Sequence, residues 1–413
     1  MRPGREHGEI PPTAGLPLHA RDLLPGRGAD LAATLAHWTG YGEALVTCSG
    51  TAALVVALTT LAQASGRREV VVPAYTCPLV AQAVAHCGLQ VRLCDARHDH
   101  FEMDPHSLQS VVGTDTLAVV PAHLGGRLTD ITGITRIAHA AGARVIEDAA
   151  QALGARHADG TPAGRAGDIG IYSLAVGKGL SIHEGGLLAA SDPTLHEALR
   201  ATAHKLLRQR PLWELRRSVE LLGYWALYRP STLGLAYGLP LRRALRRGDL
   251  VGAVGDRFPS QIPLHRVGGW RRAVGKRAAT RLPGFLDQAR ARAMRRVARL
   301  TALPGVRVVS DRGAEQGTWP FFILLLPSRS CRDGILQRLW TSRLGVSRLF
   351  IHALPDYPQL AGIVAADAVP NARDFAARTL TVSNSPWLDE ARFERILRVL
   401  RQVLAEAHLE NAA

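Results

Sequence analysis

The chain has 413 residues, 47% of them hydrophobic and 21% charged, enough to bury a large core and form one big domain with a smaller companion; it reads as a soluble globular protein. The net charge of +15 points to nucleic acid only until it is mapped, because residues 201–300 alone hold 22 Lys and Arg against 5 Asp and Glu, and no recognition module accompanies them. Five cysteines, Cys48, Cys77, Cys87, Cys94 and Cys331, show neither a CxxC pair nor a metal-ligand spacing, which argues against a disulfide framework or a zinc site and suits a reducing, cytoplasmic location.

In chain order, residues 1–30 carry Pro and Gly without the apolar core of a signal peptide and read as an extended N-terminal arm. Residues 31–210 then alternate short β-branched runs with helical patterns. Strands are expected at 43–48, 69–74, 90–95, 116–123, 143–150 and 168–174, with helices at 51–63 and 134–142 among those between them. Such alternation gives an α/β fold with a mainly parallel sheet covered on both faces, and ligands bind such sheets at the carboxyl ends of the strands. Residues 211–300 form a basic and apolar insertion. Its stretch 218–240 is interrupted by Arg229-Pro230 and by glycines, so it does not read as a membrane span. Apolar surface flanked by arginines, among them Arg242, Arg243, Arg246 and Arg247, suits either a solvated helical insertion or peripheral contact with an anionic membrane face. Residues 301–413 resume with strands at 306–310, 319–327, 345–352 and 379–383 and a helix near 389–406, a smaller α+β domain.

Three strand ends carry the chemistry. "TCSGTAAL" (47–54) turns a strand into a helix at Ser49, Gly50 and Thr51, where free backbone N–H groups and the helix dipole make an anion seat; an ordinary N-cap has the same appearance. "VIEDAAQALGA" (145–155) ends an apolar strand on Glu147, Asp148 and Gln151, and a carboxylate there requires a cationic or hydrogen-bonding partner. "IYSLAVGKGLSIHEGG" (171–186) holds Lys178 between Gly177 and Gly179 just beyond another strand. An anion seat, an acid and an amine at neighbouring strand ends suit pyridoxal phosphate, which needs a grip on its phosphate, a proton at its ring nitrogen and an amine for its aldehyde. The segment "RHDHFEMD" (97–104), with His98, Asp99 and His100 in a polar turn, reads as solvated and no metal is expected. His123 and His183 lie near the proposed site as candidates for substrate contact.

The order "SGTAAL", "PAYTC", "IEDAAQALGA", "GDIGIYSLAVGKGLSIHEGG" resembles the DegT/DnrJ/StrS family of pyridoxal-phosphate-dependent nucleotide-sugar aminotransferases across about residues 40–190. The resemblance implies the fold-type-I, aspartate-aminotransferase-like architecture. It implies Lys178 as the amine that carries the cofactor, Asp148 at the pyridine nitrogen, Gln151 beside the ring hydroxyl, and Ser173 with Gly50, Thr51 and Ala52 at the phosphate. It also implies a homodimer with sites at the subunit interface, an amino-acid donor such as glutamate, and a nucleotide-linked keto-sugar acceptor from polysaccharide, glycolipid or glycosylated-metabolite biosynthesis. Lysine at 178, where one branch of the family has histidine, favours amino transfer over sugar dehydration. The looser resemblance of 348–360 and 379–388 adds His352, Tyr357 and Asn384 as substrate contacts. Against the family pattern, Cys77 stands where an aromatic often stacks on the ring, Ala175 where histidine is frequent, and the cross-dimer motif is replaced by 262–288. These departures keep open a protein that retains the fold but only binds or regulates.

Overall fold

The computed structural model describes residues 8–25, 30–258 and 261–412. Seven strands form the larger sheet: β1 (Leu45–Thr47), β2 (Glu69–Pro73), β3 (Gln90–Cys94), β4 (Thr116–Val119), β5 (Arg144–Asp148), β6 (Ile169–Ser173) and β7 (Gly186–Ala190). Their spatial order is β1-β7-β6-β5-β4-β2-β3. All neighbours pair in parallel except β7, which runs antiparallel to both β1 and β6. The six strands expected from β-branched runs are present within four residues of their predicted ends. The seventh, β7, is five residues of Gly, Leu and Ala, too short and too unbranched to stand out in sequence. Because it is reversed, its first residue, Gly186, arrives at the edge where β4, β5 and β6 end.

The helix Gly50–Ala64 lies over β6 and β7 and is buried on nearly every side, from Ala52 through Leu58 and again at Thr60 and Leu61. Each of its fully buried Leu and Val side chains contributes about 1.5–3 kcal/mol. The approach of β7 to this helix is so close that a Cβ on Gly186 would stand 2.5 Å from the Ser49 carbonyl and 2.7 Å from the Gly50 nitrogen. Only glycine fits there, and the contact fixes the start of the helix against the sheet edge.

A second sheet of four antiparallel strands, β8 (Arg307–Val308), β9 (Phe321–Leu325), β10 (Val346–Ser347) and β11 (Thr379–Ser383), has the order β10-β11-β9-β8. Phe322, Leu324, Leu380 and Val382 share a core with Ile335 of the helix Arg329–Leu339 and with Phe393, Ile396 and Leu397 of the C-terminal helix Glu390–Ala412.

Between the sheets, the basic region is helical. The helix Pro211–Leu227 is followed by a short turn of helix Pro230–Leu233, the helix Leu239–Arg246, then Leu250–Val254, Gly269–Ala279 and Leu282–Thr301. Among the described residues no helix is long and apolar enough to cross a membrane. The arginines of residues 201–300 range from exposed to buried. Arg208, Arg210, Arg243, Arg246 and Arg247 are exposed. Arg271 and Arg296 are buried, Arg271 as a fork on Glu214 (Nε–Oε1 2.8 Å, Nη2–Oε2 2.6 Å) and Arg296 on Glu390 and the Leu388 carbonyl. Solvation therefore accounts for only part of the charge excess.

The N-terminal arm is extended, but residues 8–18 are laid across the molecule rather than free. The Glu9 N–H donates to the Pro230 carbonyl (2.8 Å), Ala14 N–H to Pro320 (2.8 Å) and Leu16 N–H to Gly179 (3.0 Å), while Ile10, Leu16 and Leu18 are buried. Residues 1–7 and 26–29 of the expected arm lie outside the described residues.

Candidate active site

The carboxyl ends of β4, β5 and β6, the entry to the helix Gly50–Ala64, the arm and the basic region enclose a cavity of about 570 Å³. Gly50, Thr51, Cys77, His123, Asp148, Gln151, Ser173 and Lys178 all line it, so segments distant in sequence converge. At the helix start the Ser49 hydroxyl accepts the Ala52 N–H (3.0 Å), which removes Ala52 as an anion donor and leaves Gly50 and Thr51 as the orphan N–H groups of the first turn. A Cβ on Gly50 would lie 3.2 Å from the Ser173 Cβ, so the end of β6 brings its hydroxyl beside this seat.

Lys178 is one of three lysines in the chain; Lys205 and Lys276 sit exposed on helices. Its loop is shaped by Gly177, at φ +80°, where a Cβ would meet the Thr13 hydroxyl at 2.5 Å. Backbone bonds from Leu174 to Gly185 (2.8 Å), from Ile182 to Leu174 (3.0 Å) and from Val176 to His183 (3.1 Å) fold the loop into a closed unit. Burial pulls the Lys178 amine below the usual lysine range, opposed by the neighbouring Cys77 and Asp148. Burial likewise pushes the Asp148 carboxyl up, against the Ala150 N–H bonded to its Oδ1 (3.0 Å) and the nearby Lys178. Burial also pushes the Cys77 thiol up to about 12, so it is a neutral thiol rather than a reactive thiolate.

Behind this front, His123 Nδ1 accepts the Thr129 N–H (3.0 Å), so its Nε2 carries the proton facing Glu147 Oε1 at 2.7 Å. Glu147 is fully buried and also accepts the N–H groups of Gly164 and Gly167. Burial alone would raise its carboxyl, but His123, His157 and these donors together bring it down to about 2. His123, Glu147 and His157 are grouped closely enough to present three ligand atoms to a metal. The Glu147 oxygens are already occupied by backbone donors and His123, and this buried acid serves to orient His123 at the cavity wall.

A profile of the DegT/DnrJ/EryC1/StrS aminotransferase family matches residues 27–223. That match covers just under half of the chain. Among curated relatives, the UDP-N-acetyl-3-dehydro-alpha-D-glucosamine 3-aminotransferase of Acidithiobacillus ferrooxidans is 34% identical over 203 residues, 49% of this chain and 53% of that one. The GDP-perosamine synthase of Caulobacter vibrioides is 27% identical over 373 residues, 89% of this chain and 88% of that one. The first alignment thus spans only about half of its relative and the second nearly all. Of solved structures, the aminotransferase TlmJ from Streptoalloteichus hindustanus superposes with a TM-score of 0.74 at 22% identity, over 97% of this chain and 100% of that one. The PLP-form of the putative sugar aminotransferase Spr1654 from Streptococcus pneumoniae gives 0.73 at 17% identity, over 96% and 99%. These likenesses establish the fold-type-I architecture.

The match to this family makes pyridoxal phosphate the cofactor to test against the cavity, and the donor set fits it. Two orphan N–H groups and a hydroxyl suit its phosphate, a buried carboxylate its ring nitrogen, and an amine of lowered proton affinity its aldehyde. Gln151 is committed in part, since its Oε1 accepts the Gly125 N–H at 2.6 Å and only its amide nitrogen remains for the ring side.

Four of the expected substrate contacts stand elsewhere. Asn384 is fully buried and donates from Nδ2 to the Ala289 and Trp319 carbonyls (2.8 and 2.9 Å), tying the end of β11 to its neighbours. The Tyr357 hydroxyl is held beneath the cavity wall, donating to Asp256 Oδ2 at 2.6 Å and accepting the Ile351 N–H at 3.0 Å. His352 lines a different cavity, and His183, at φ +69°, turns away toward Glu220 (3.7 Å). Tyr75, the aromatic nearest to Cys77 in sequence, is buried edge-on against Phe350 and Phe375. The turn at 97–104 holds Asp99 paired with Arg307 and Arg378.

Sequence reasoning missed several residues of the wall. Pro12 and Thr13 of the arm, Arg217 and Asp256 of the basic region, and Arg348 after β10 all line the cavity. Each comes from a segment whose local pattern gives no sign of where it lands. The Asp256 carboxyl is pushed up to about 6 by burial, which outweighs the Tyr357 hydroxyl, the Ile351 N–H and Arg348.

Proposed function

We propose that this protein transfers an amino group from an amino acid, glutamate first among the donors to try, to a keto-sugar carried on a nucleotide, in the building of a polysaccharide, glycolipid or glycosylated metabolite. The observation that carries this reading is the convergence of Lys178, Asp148, Ser173 and the Gly50–Thr51 amides on one cavity, all within the residues 27–223 that match this aminotransferase family. Both curated relatives described above act, by their names, on nucleotide sugars. Bound pyridoxal phosphate supplies an electron sink for the pair left when a proton leaves the α-carbon of the donor. In this assignment Gly50, Thr51 and Ser173 bind the phosphate, and Asp148 holds a proton at the ring nitrogen. Lys178 would hold the aldehyde carbon through Nζ, and the same amine is placed to take the proton from the α-carbon of the donor. The arm at Pro12–Ala14 covers the lysine loop and keeps water from that amine.

The same proposal divides the chain into arm (1–30), cofactor-binding part (31–210), basic region (211–300) and small domain (301–413), supported by the two sheets lying within 45–190 and 307–383. It includes a homodimer. The helix Pro211–Leu227 exposes Leu212, Leu215, Val219 and Leu222 at helical spacing beside the cavity residue Arg217, a face suited to a second copy. The exposed Arg243, Arg246 and Arg247 suit transient contact with an anionic membrane face in the cytoplasm.

The test is spectroscopic. The protein loaded with pyridoxal phosphate should show a visible absorption band that glutamate, or another donor from a panel, bleaches within a single turnover. A stable band that no donor bleaches would contradict transfer and favour the binding or regulatory role to which Cys77 and Ala175 point.

A further inference from the structure

A second cavity, of about 730 Å³, lies between the helices Arg329–Leu339 and Pro370–Arg378 and the basic region, which contributes Leu245 and Leu250. Its polar lining is strongly cationic: Arg329, Arg332, Arg348 and Arg373, with His352 and Trp340. Two carboxylates answer them. Asp356 is taken up by a two-pronged pair with Arg373 (3.0 Å), and Asp333, itself half exposed, stands beside Arg329 and Arg332.

Three N–H donors in this lining are buried without a hydrogen-bond acceptor: Arg332 Nε, Arg348 Nε and Trp340 Nε1. Arg332 is 4% exposed and Arg348 8%, so neither guanidinium is solvated in the ordinary way. Arg332 Nε is within 2.8 Å of Asp333 Oδ1 but out of hydrogen-bond alignment. Arg348 spends Nη2 on the Ile351 and Ala376 carbonyls (2.7 and 2.6 Å), which fixes the plane of its fork while its Nε goes unmet. Burial and their mutual repulsion pull Arg332 down to about 10, and burial does the same in direction for Arg348. Two buried cations that repel one another around a roomy cavity are costly unless an anion completes them.

We propose that this cavity is an anion site that takes a phosphate ester or diphosphate, gripped by Arg332 and Arg348 and steered in by Arg329. A phosphoryl group offers several acceptor oxygens in the geometry that arginine forks match, whereas a single carboxylate leaves one of the three donors unmet. Arg348 also lines the cavity that holds Lys178, so the same side chain meets the anion on one side and the reaction space on the other. The site is separate from the phosphate seat at Gly50 and Thr51 and stands whether or not the transfer reaction does.

The test is binding of inorganic pyrophosphate by calorimetry to protein already loaded with pyridoxal phosphate, which occupies the other seat. Saturable binding is expected. It should weaken at least tenfold in Arg332→Gln, severalfold in Arg329→Gln and in Trp340→Phe, and not at all in Arg247→Gln, an exposed arginine outside the cavity. The two milder variants serve if Arg332→Gln does not fold. Displacement of pyrophosphate by uridine diphosphate would assign the anion to a nucleotide; simultaneous binding would assign it to a free phosphate; either supports the site. Absence of saturable binding, or equal weakening in Arg247→Gln, overturns it.

Discussion

The sheet edge that carries Lys178 and the basic helices of residues 211–300 border one cavity yet are built on opposite principles. At the sheet edge, short strands end in step, glycines allow close approach, and each chemical group is delivered by its own strand. In the helical region, position comes from charged side chains folded inward. Arg271, fully buried, forks onto Glu214 and reaches the carbonyls of Ile182 and Glu184, thereby fastening the helix Pro211–Leu227 and the end of the lysine loop together. The lesson is that chemistry placed by backbone can be read from a local pattern, whereas support placed by long side chains cannot.

That contrast is sharpened by perturbing one region at a time. The largest effect is expected at the sheet edge: Asp148→Asn, which keeps shape and removes charge, should lower the rate of the donor half-reaction by about a hundred- to ten-thousand-fold while the protein folds normally and retains cofactor. Stopped-flow loss of the visible band would measure it. Next comes the helical region, where Arg271→Met strands Glu214 and two carbonyls and should destabilise the fold by about 3–5 kcal/mol in denaturant titrations. If the rate in folded Arg271→Met matches that of the natural protein while stability drops, the division between chemistry and support holds. A collapse of rate without loss of stability would break it.

The smallest effect belongs to Asp256, which reaches from the helical region into the cavity wall. Its carboxyl is raised to about 6 in the fold from an ordinary 3.8, so the folded chain binds this proton more tightly than the unfolded chain. Stability from this group is present at low pH and is lost as pH rises through about 6. Asp256→Asn should therefore be more stable than the natural protein at pH 8, by up to about 3 kcal/mol, and equal to it near pH 4. Thermal unfolding at the two pH values would check the sign.

How much was legible follows the same division. Asp148 and Ser173 could be located because each is the last residue of a β-branched strand, and Lys178 because it stands five residues beyond one; the parallel architecture dictates that such ends meet. The reversed β7 was invisible because Gly-Leu-Leu-Ala-Ala has no strand signature, although its Gly186 fixes the anion seat. Tyr357 and Asn384 were plausible by type, but their polar groups are consumed by Asp256 and by carbonyls, and His352 lines the second cavity instead of the first. Glu147 stands beside Asp148 in sequence, but its orientation toward His123 and the Gly164 and Gly167 amides depends on a fold-back between β5 and β6 that no local pattern records.

With only three lysines in the chain, one measurement bears on the central claim most directly. Protein loaded with pyridoxal phosphate is reduced with borohydride, digested and mapped by mass spectrometry. The account predicts the pyridoxyl mass on the peptide containing Lys178 alone, and none in Lys178→Ala. Labelling at Lys205 or Lys276, or unchanged labelling of Lys178→Ala, would contradict it.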